Sequence, residues 1–184
     1  MSLTQLGTIM FEIENFETPV ADSMLNTRLT EHFKFGEFLV SESANRAGIK
    51  NYPIKNEELA NILFVAKQAE VIRNILGNHP VVITSGYRSA KVNKVVGGSL
   101  TSAHMFGLAM DFTCPGYGTV TQIVATLRKH MDTLHYDQII LEFGDSGWCH
   151  IGWKCIDPNS NLNRGQVLSA EKSHSKQKTI YTAI

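Results

Sequence analysis

The sequence predicts a single domain that mixes helices and strands, and three observations predict it. The chain has 184 residues, 43% hydrophobic and 18% charged, which is enough to bury a core without staples and too apolar for disorder. A long stretch from Asn56 carries apolar residues at three- and four-residue steps, the period of an amphipathic helix. Short β-branched or alternating runs at 81–85, 108–112, 138–142 and 148–153 lie between Gly-, Pro- and Asp-containing turns, as strands do.

Residues 1–30 mix Asn, Thr, Asp and Pro19 with scattered apolar side chains and read as an extended arm. Phe33, Phe35 and Phe38 then cluster, and packing onto the core is the simplest use for them. Ser41 can cap a short helix over 41–46 that Gly48 ends. Asn51-Tyr52-Pro53 is a turn. In the long helix Asn56 is the expected N-cap, and Glu57 and Glu58 suit its first turn. Leu59, Ile62, Leu63, Ala66, Ala69, Ile72 and Leu76 form its buried face, and Gly77 follows its end.

Val81–Ser85 reads as a buried strand that delivers Gly86-Tyr87-Arg88-Ser89 at its end. An arginine there presents a rigid fork of donors, suited to a carboxylate or a polarised carbonyl. Gly97-Gly98-Ser99 is a flexible turn. Leu108, Met110 and Phe112 alternate with Ala109 and Asp111, so a strand here sets Asp111 opposite the larger apolar residues. Gly107 allows a bend or a close approach just before it. Thr119 opens a second helix with Gln122 at the capping-box position, and Val120, Ile123, Val124, Leu127 and Met131 form its buried face. Gly144–Gly147 reads as a hairpin turn between the strands 138–142 and 148–153, and pairing would make Glu142 and His150 neighbours. Residues 165–168 and 179–181 suggest two short edge strands. From Lys154 onward Lys154, Arg164, Lys172, Lys176 and Lys178 outnumber Asp157 and Glu171, which is either a solvated face or an attraction to an anionic polymer such as a cell wall.

Lys and Arg total 17 and Asp and Glu total 17, with no broad basic stripe, so nucleic acid is not an expected partner. Cys114, Cys149 and Cys155 show neither framework spacing nor a C-x-x-C pair, so reduced thiols are expected rather than a disulfide scaffold or a zinc finger. Met1–Glu14 lacks a basic segment followed by an apolar run, and no run approaches the ~18 apolar residues of a membrane span. A product made in the cytoplasm without a signal peptide is the expectation, and its oligomeric state is left open.

The chemistry lies in Ser102–Asp111 and Trp148-Cys149-His150-Ile151. His104, Asp111 and His150 make a set of two imidazoles and one carboxylate that leaves a zinc position open to water. A hydrolase built on such a site needs a carboxylate base and a cation for the developing oxyanion, and Glu142 and Arg88 can supply them. His32, His79, His130, His135 and His174 read as ordinary surface or satisfied histidines.

Ser102-x-His104-x-x-Gly107-x-Ala109-x-Asp111 resembles the S-x-H-x-x-G-x-A-x-D signature of the zinc D-alanyl-D-alanine carboxypeptidases and related peptidoglycan peptidases. These are grouped with lysostaphin-type enzymes and hedgehog signalling domains. Ser85-Gly86-Tyr87-Arg88-Ser89, Asn93–Gly98 and Trp148–Ile151 are similar to other hallmarks of the family. The likeness covers roughly residues 35–155 and is nearest the compact branch of bacteriophage endolysins and small wall hydrolases. It implies an α+β fold, with helices mainly on one side of a largely antiparallel sheet. It also implies Zn2+ on His104, Asp111 and His150, a substrate carboxylate or carbonyl on Arg88, and an orienting part for Ser102. The implied reaction is hydrolysis of peptide bonds next to D-amino acids in peptidoglycan stem peptides or cross-links, by a carboxypeptidase or an endopeptidase. The implied division is an arm over 1–30, a zinc peptidase core over 31–155 and a C-terminal extension over 156–184 packed on the core. The protein would act on the cell wall after release, or from a virion. One departure stands out. The dipeptidase branch carries its base in E-x-W-H, where this chain has Gly147, so the base moves to Glu142, with Asp145 as the next candidate. The missing E-x-W-H also admits a non-catalytic, zinc-stabilised wall-binding or phage structural module.

Overall fold

The apolar runs assemble into one sheet of six strands, in the order β1-β2-β4-β3-β5-β6. The structure is a computed structural model and describes residues 22–172 and 179–184. The strands are β1 (Val82–Ser85), β2 (Ala109–Thr113), β3 (Gln138–Glu142), β4 (Trp148–Gly152), β5 (Gln166–Lys172) and β6 (Thr179–Ala183). Every neighbouring pair is antiparallel except β3 with β5, so the α+β, largely antiparallel architecture is as expected. Most of the arm expected over 1–30, together with His174, Lys176 and Lys178, lies outside the described residues.

The two-residue period of β2 to β4 separates the faces of the sheet. Met110, Phe112, Ile139, Cys149 and Ile151 point into a core shared with Ile62, Ala66 and Ile72 of the long helix and with Ile123, Val124 and Leu127 of the later one. Phe33, Phe35 and Phe38 join the same core, as their clustering predicted. On the opposite face Asp111, His150, Ile140 and Leu168 stand in one cross-strand row.

Helix α1 (Glu42–Ala47) is capped by Ser41, whose Oγ accepts from the Ala44 N–H, and it ends at Gly48 in the left-handed conformation. Helix α2 (Asn56–Ile75) starts one residue earlier than expected. Lys55 takes the cap position, and the Glu58 carboxylate accepts the Ile54 and Lys55 N–H groups, so Asn56 is not the cap. A third helix, α3 (Ala90–Val95), follows the arginine loop and is capped by Ser89. Helix α4 (Val120–Leu127) has the expected box, in which Thr119 Oγ1 and Gln122 Oε1 each accept the other residue's N–H. It tightens into a 3-10 turn at Arg128–His130, so Met131 begins a separate short helix.

Two strand expectations change. Where a buried strand over 81–85 was expected, Val82–Ser85 forms an edge strand: Ile83 is buried while Val82 faces solvent. A β-branched run suits both positions, and only the sheet order decides between them. The run at 165–168 belongs to the longer β5, which lies inside the sheet between β3 and β6 and leaves β6 as the edge. All three cysteines are unpaired. Among the described residues no helix is long and apolar enough to cross a membrane.

Candidate metal centre

His104, Asp111 and His150 come from three places in the chain, and the fold brings them together. Asp111 and His150 are direct cross-strand partners on β2 and β4. His104 lies in the 3-10 turn Ala103–Phe106, which Gly107 closes at φ +71°. A Cβ at Gly107 would sit 2.8 Å from the Glu58 carbonyl oxygen of α2, so both the left-handed backbone and the close approach require glycine there.

His104 Nε2, His150 Nδ1 and Asp111 Oδ1 form a triangle with sides of 3.2, 2.8 and 3.2 Å. The edge between ligands of a tetrahedral zinc with Zn–N distances near 2.0–2.1 Å is about 3.3 Å, so the triangle has the size of one face of such a site. The proton inventory points the same way. His104 Nδ1 lies 2.6 Å from the Gly86 carbonyl oxygen, which can only accept, so Nδ1 carries the proton. Burial, opposed by the pull of Asp111, lowers the His104 pKa and keeps the ring neutral, leaving Nε2 as a bare lone pair. His150 Nδ1 has at most one proton for two neighbours. The lone pair of His104 and the carboxylate oxygen of Asp111 therefore face each other without a donor, in a site where both side chains are only 4% exposed. A bound cation removes that conflict, and these are the residues with the geometry to hold one.

Asp111 is oriented from its other oxygen. Arg88 donates to Oδ2 at 2.5 Å and, through Nε, to Ser85 Oγ at 3.0 Å. Burial alone would raise the Asp111 carboxyl, but the polar groups packed against it hold it below the usual carboxylate range. Arg88 is held in turn. Asn51 receives the Ser89 N–H and donates to the Leu39 and Tyr87 carbonyls, clamping the backbone on both sides of Arg88. The Tyr87 hydroxyl donates to Glu58. Asn51 reads as a turn residue in the sequence, because its partners lie 12, 36 and 38 positions away.

The triad opens onto a cleft of about 630 Å³ whose wall includes Arg88, Ser102, Glu142, Trp148 and Tyr181. Glu142 pairs with Trp148, two positions along from the pairing of Ile140 with His150, so it shares the face of the ligands. Burial is the main cause of its raised pKa; the Asp111 charge adds to the rise, and His150 and Arg88 oppose it. A carboxyl in that setting holds a proton more readily than a solvent-exposed one, which suits a group that takes up a proton and passes it on. Asp145 is used elsewhere. It accepts the Thr121 N–H at 2.8 Å in the first turn of α4 and does not line the cleft. Of the other histidines, His32 bonds Glu70 and His130 bonds the Thr126 carbonyl within its own helical turn.

The sheet and the donor set define a class: an α+β domain with a three-ligand, open-sided metal centre on the exposed face of an antiparallel sheet. The chain belongs to the peptidase M15 family, whose model matches residues 31–151, well over half of the chain. It is similar to the zinc D-Ala-D-Ala carboxypeptidase of Streptomyces albus G, with 34% identity over 59 residues. That likeness covers 32% of this chain and 23% of the Streptomyces protein, so the chain matches under a quarter of that relative's length.

Proposed function

We propose that the protein is a zinc-dependent peptidase acting on the peptide bonds of peptidoglycan stem peptides or cross-links. The observation that carries this reading is the triangle of His104 Nε2, His150 Nδ1 and Asp111 Oδ1, open toward a cleft that also holds Glu142 and Arg88. Family membership supports it, as does the name of the Streptomyces relative.

Zinc on His104, Asp111 and His150 would supply a Lewis acid for the scissile carbonyl and lower the pKa of a water toward ~7. Glu142 takes a proton from the attacking water as the new C–O bond forms, then delivers it to the amine as the C–N bond breaks. Arg88 holds Asp111 in place through one nitrogen, and its remaining N–H groups are available to a substrate carbonyl or carboxylate. Ser102, at the entry to the His104 turn, lines the cleft and orients the bound peptide.

Incubating the zinc-loaded protein with purified cell wall and with a D-Ala-D-Ala-terminated peptide, with and without chelator, tests the reading. Release of free D-Ala marks a carboxypeptidase. Solubilised wall with new amino termini and no free D-Ala marks an endopeptidase. No cleavage of either substrate at any zinc loading contradicts the proposal.

A further inference from the structure

The cleft extends past the metal centre to a second cluster that the chemistry above does not use. Asp137, Gln138, Lys154 and Arg164 line that end of it. Asp137 is 5% exposed and saturated: Oδ1 accepts the Arg164 backbone N–H at 3.1 Å and Arg164 Nε at 2.7 Å, and Oδ2 accepts Arg164 NH2 at 2.6 Å. Lys154 Nζ lies 3.7 Å from Asp137 Oδ1, an ion pair longer than a hydrogen bond, so the two cations share one carboxylate. Asn163 braces the loop between the two cations, accepting the Lys154 and Cys155 N–H groups and donating to the Cys155 carbonyl. Both cations thus sit on a loop tied down by buried or backbone partners.

Charge bookkeeping along the cleft isolates one group. Arg88 is matched by Asp111 and Arg164 by Asp137, each at hydrogen-bond distance. Among the described cleft residues Lys154 is the side chain whose positive charge has no carboxylate in hydrogen-bond contact. Lys154 and the metal ligands line the same cleft. Gly152 lies between His150 and Lys154 in the chain, and a Cβ there would come within 3.2 Å of His150 Nε2, so a side chain at this position would press on the metal ligand. β4 ends at Gly152, two residues before Lys154, so this end of the cleft adjoins the strand that carries His150. Lys154 and Arg164 also lie beyond the matched span of 31–151, so this end of the cleft is built by the part of the chain that the family match leaves out.

We propose that Lys154, supported by the Asp137-clamped Arg164, forms an anion subsite that selects peptides carrying a free carboxylate a few residues from the bond at the metal centre. This rests on the peptidase reading and adds a specificity to it. A neutral amide at the same position would offer the lysine no charge to neutralise.

Two pentapeptides ending in D-Ala-D-Ala test it, one with an internal Glu and the other with Gln at that position, both with the last amide replaced by CH2–NH. Binding is read from tryptophan fluorescence, since Trp148 lines the cleft. Wild-type protein should bind the Glu peptide about fivefold more tightly than the Gln peptide. Lys154→Gln should abolish that difference and Lys154→Arg should retain it. A preference that survives Lys154→Gln, or no preference in the wild type, overturns the subsite. The same Glu peptide with its amide intact, assayed beside purified cell wall, separates the two ideas: absence of zinc-dependent cleavage of both counts against the peptidase reading, while the binding comparison still decides the subsite.

Discussion

Arg88 donates to Asp111 Oδ2 at 2.5 Å, while Asp111 Oδ1 is the oxygen turned toward His104 and His150. One carboxylate therefore joins the arginine loop to the metal centre. Arg88 was expected as a clamp on substrate alone, and the structure gives it a second task as the positioning partner of a metal ligand. Arg88→Ala should lower zinc affinity by about 10–100-fold, as loss of an outer-shell partner does. Competition with a chromophoric chelator measures it. Unchanged zinc affinity with only a raised KM would return Arg88 to substrate binding alone.

Glu142 and Asp145 were alternatives for the base, and their surroundings now separate them. Glu142→Gln should cut kcat by about 10²–10⁴-fold and leave zinc content intact. Asp145→Asn should leave kcat near wild type and lower the melting temperature slightly, because Asp145 serves the first turn of α4. Steady-state kinetics and thermal melts on both variants check this. The reverse pattern would move the base to Asp145.

Gly107 carries the turn between His104 and β2. Gly107→Ala must hold φ near +71° and place a methyl 2.8 Å from the Glu58 carbonyl oxygen. The expected cost is about 1–3 kcal/mol in urea denaturation, with zinc affinity falling as the His104 turn shifts. A variant as stable as wild type would show that the turn relaxes freely.

Asp137 supplies an acid-dependent share of stability. Burial works to raise its carboxyl, but the Arg164 hydrogen bonds and charge bring it below the ordinary Asp value. A folded pKa below the unfolded one stabilises the protein above the unfolded value of ~3.9, and that contribution disappears as pH falls through the folded value. Asp137→Asn should therefore be clearly less stable than wild type at pH 7, and the gap should narrow below about pH 4. Denaturation curves at the two pH values measure it. A gap that widens in acid would contradict the assignment.

What the sequence made legible was local. The Thr119/Gln122 box, the Ser41 cap and the period of α2 are each complete within one element, so one window of residues contains the whole signal. His104, Gly107 and Asp111 were readable for a similar reason, since a turn and the strand after it hold two of the three ligands. What stayed hidden needed sheet order. Leu168 comes beside Ile140 only because β5 runs parallel to β3, and no spacing in the chain announces that. Asp137 and Arg164 lie 27 positions apart without a motif, and Arg88 reaches Asp111 across 23. Asn51 fell into the same gap, a side chain whose three partners are all distant backbone groups.

The proposed zinc site requires His104, Asp111 and His150 to bind one ion together. An anomalous difference map recorded across the zinc edge, from crystals grown with the metal, tests it most directly. Zinc on this triad gives one strong peak about 2.0–2.2 Å from His104 Nε2, Asp111 Oδ1 and His150 Nδ1, lost in His150→Ala. A map with no peak at the triangle, or with its zinc on other side chains, would contradict it.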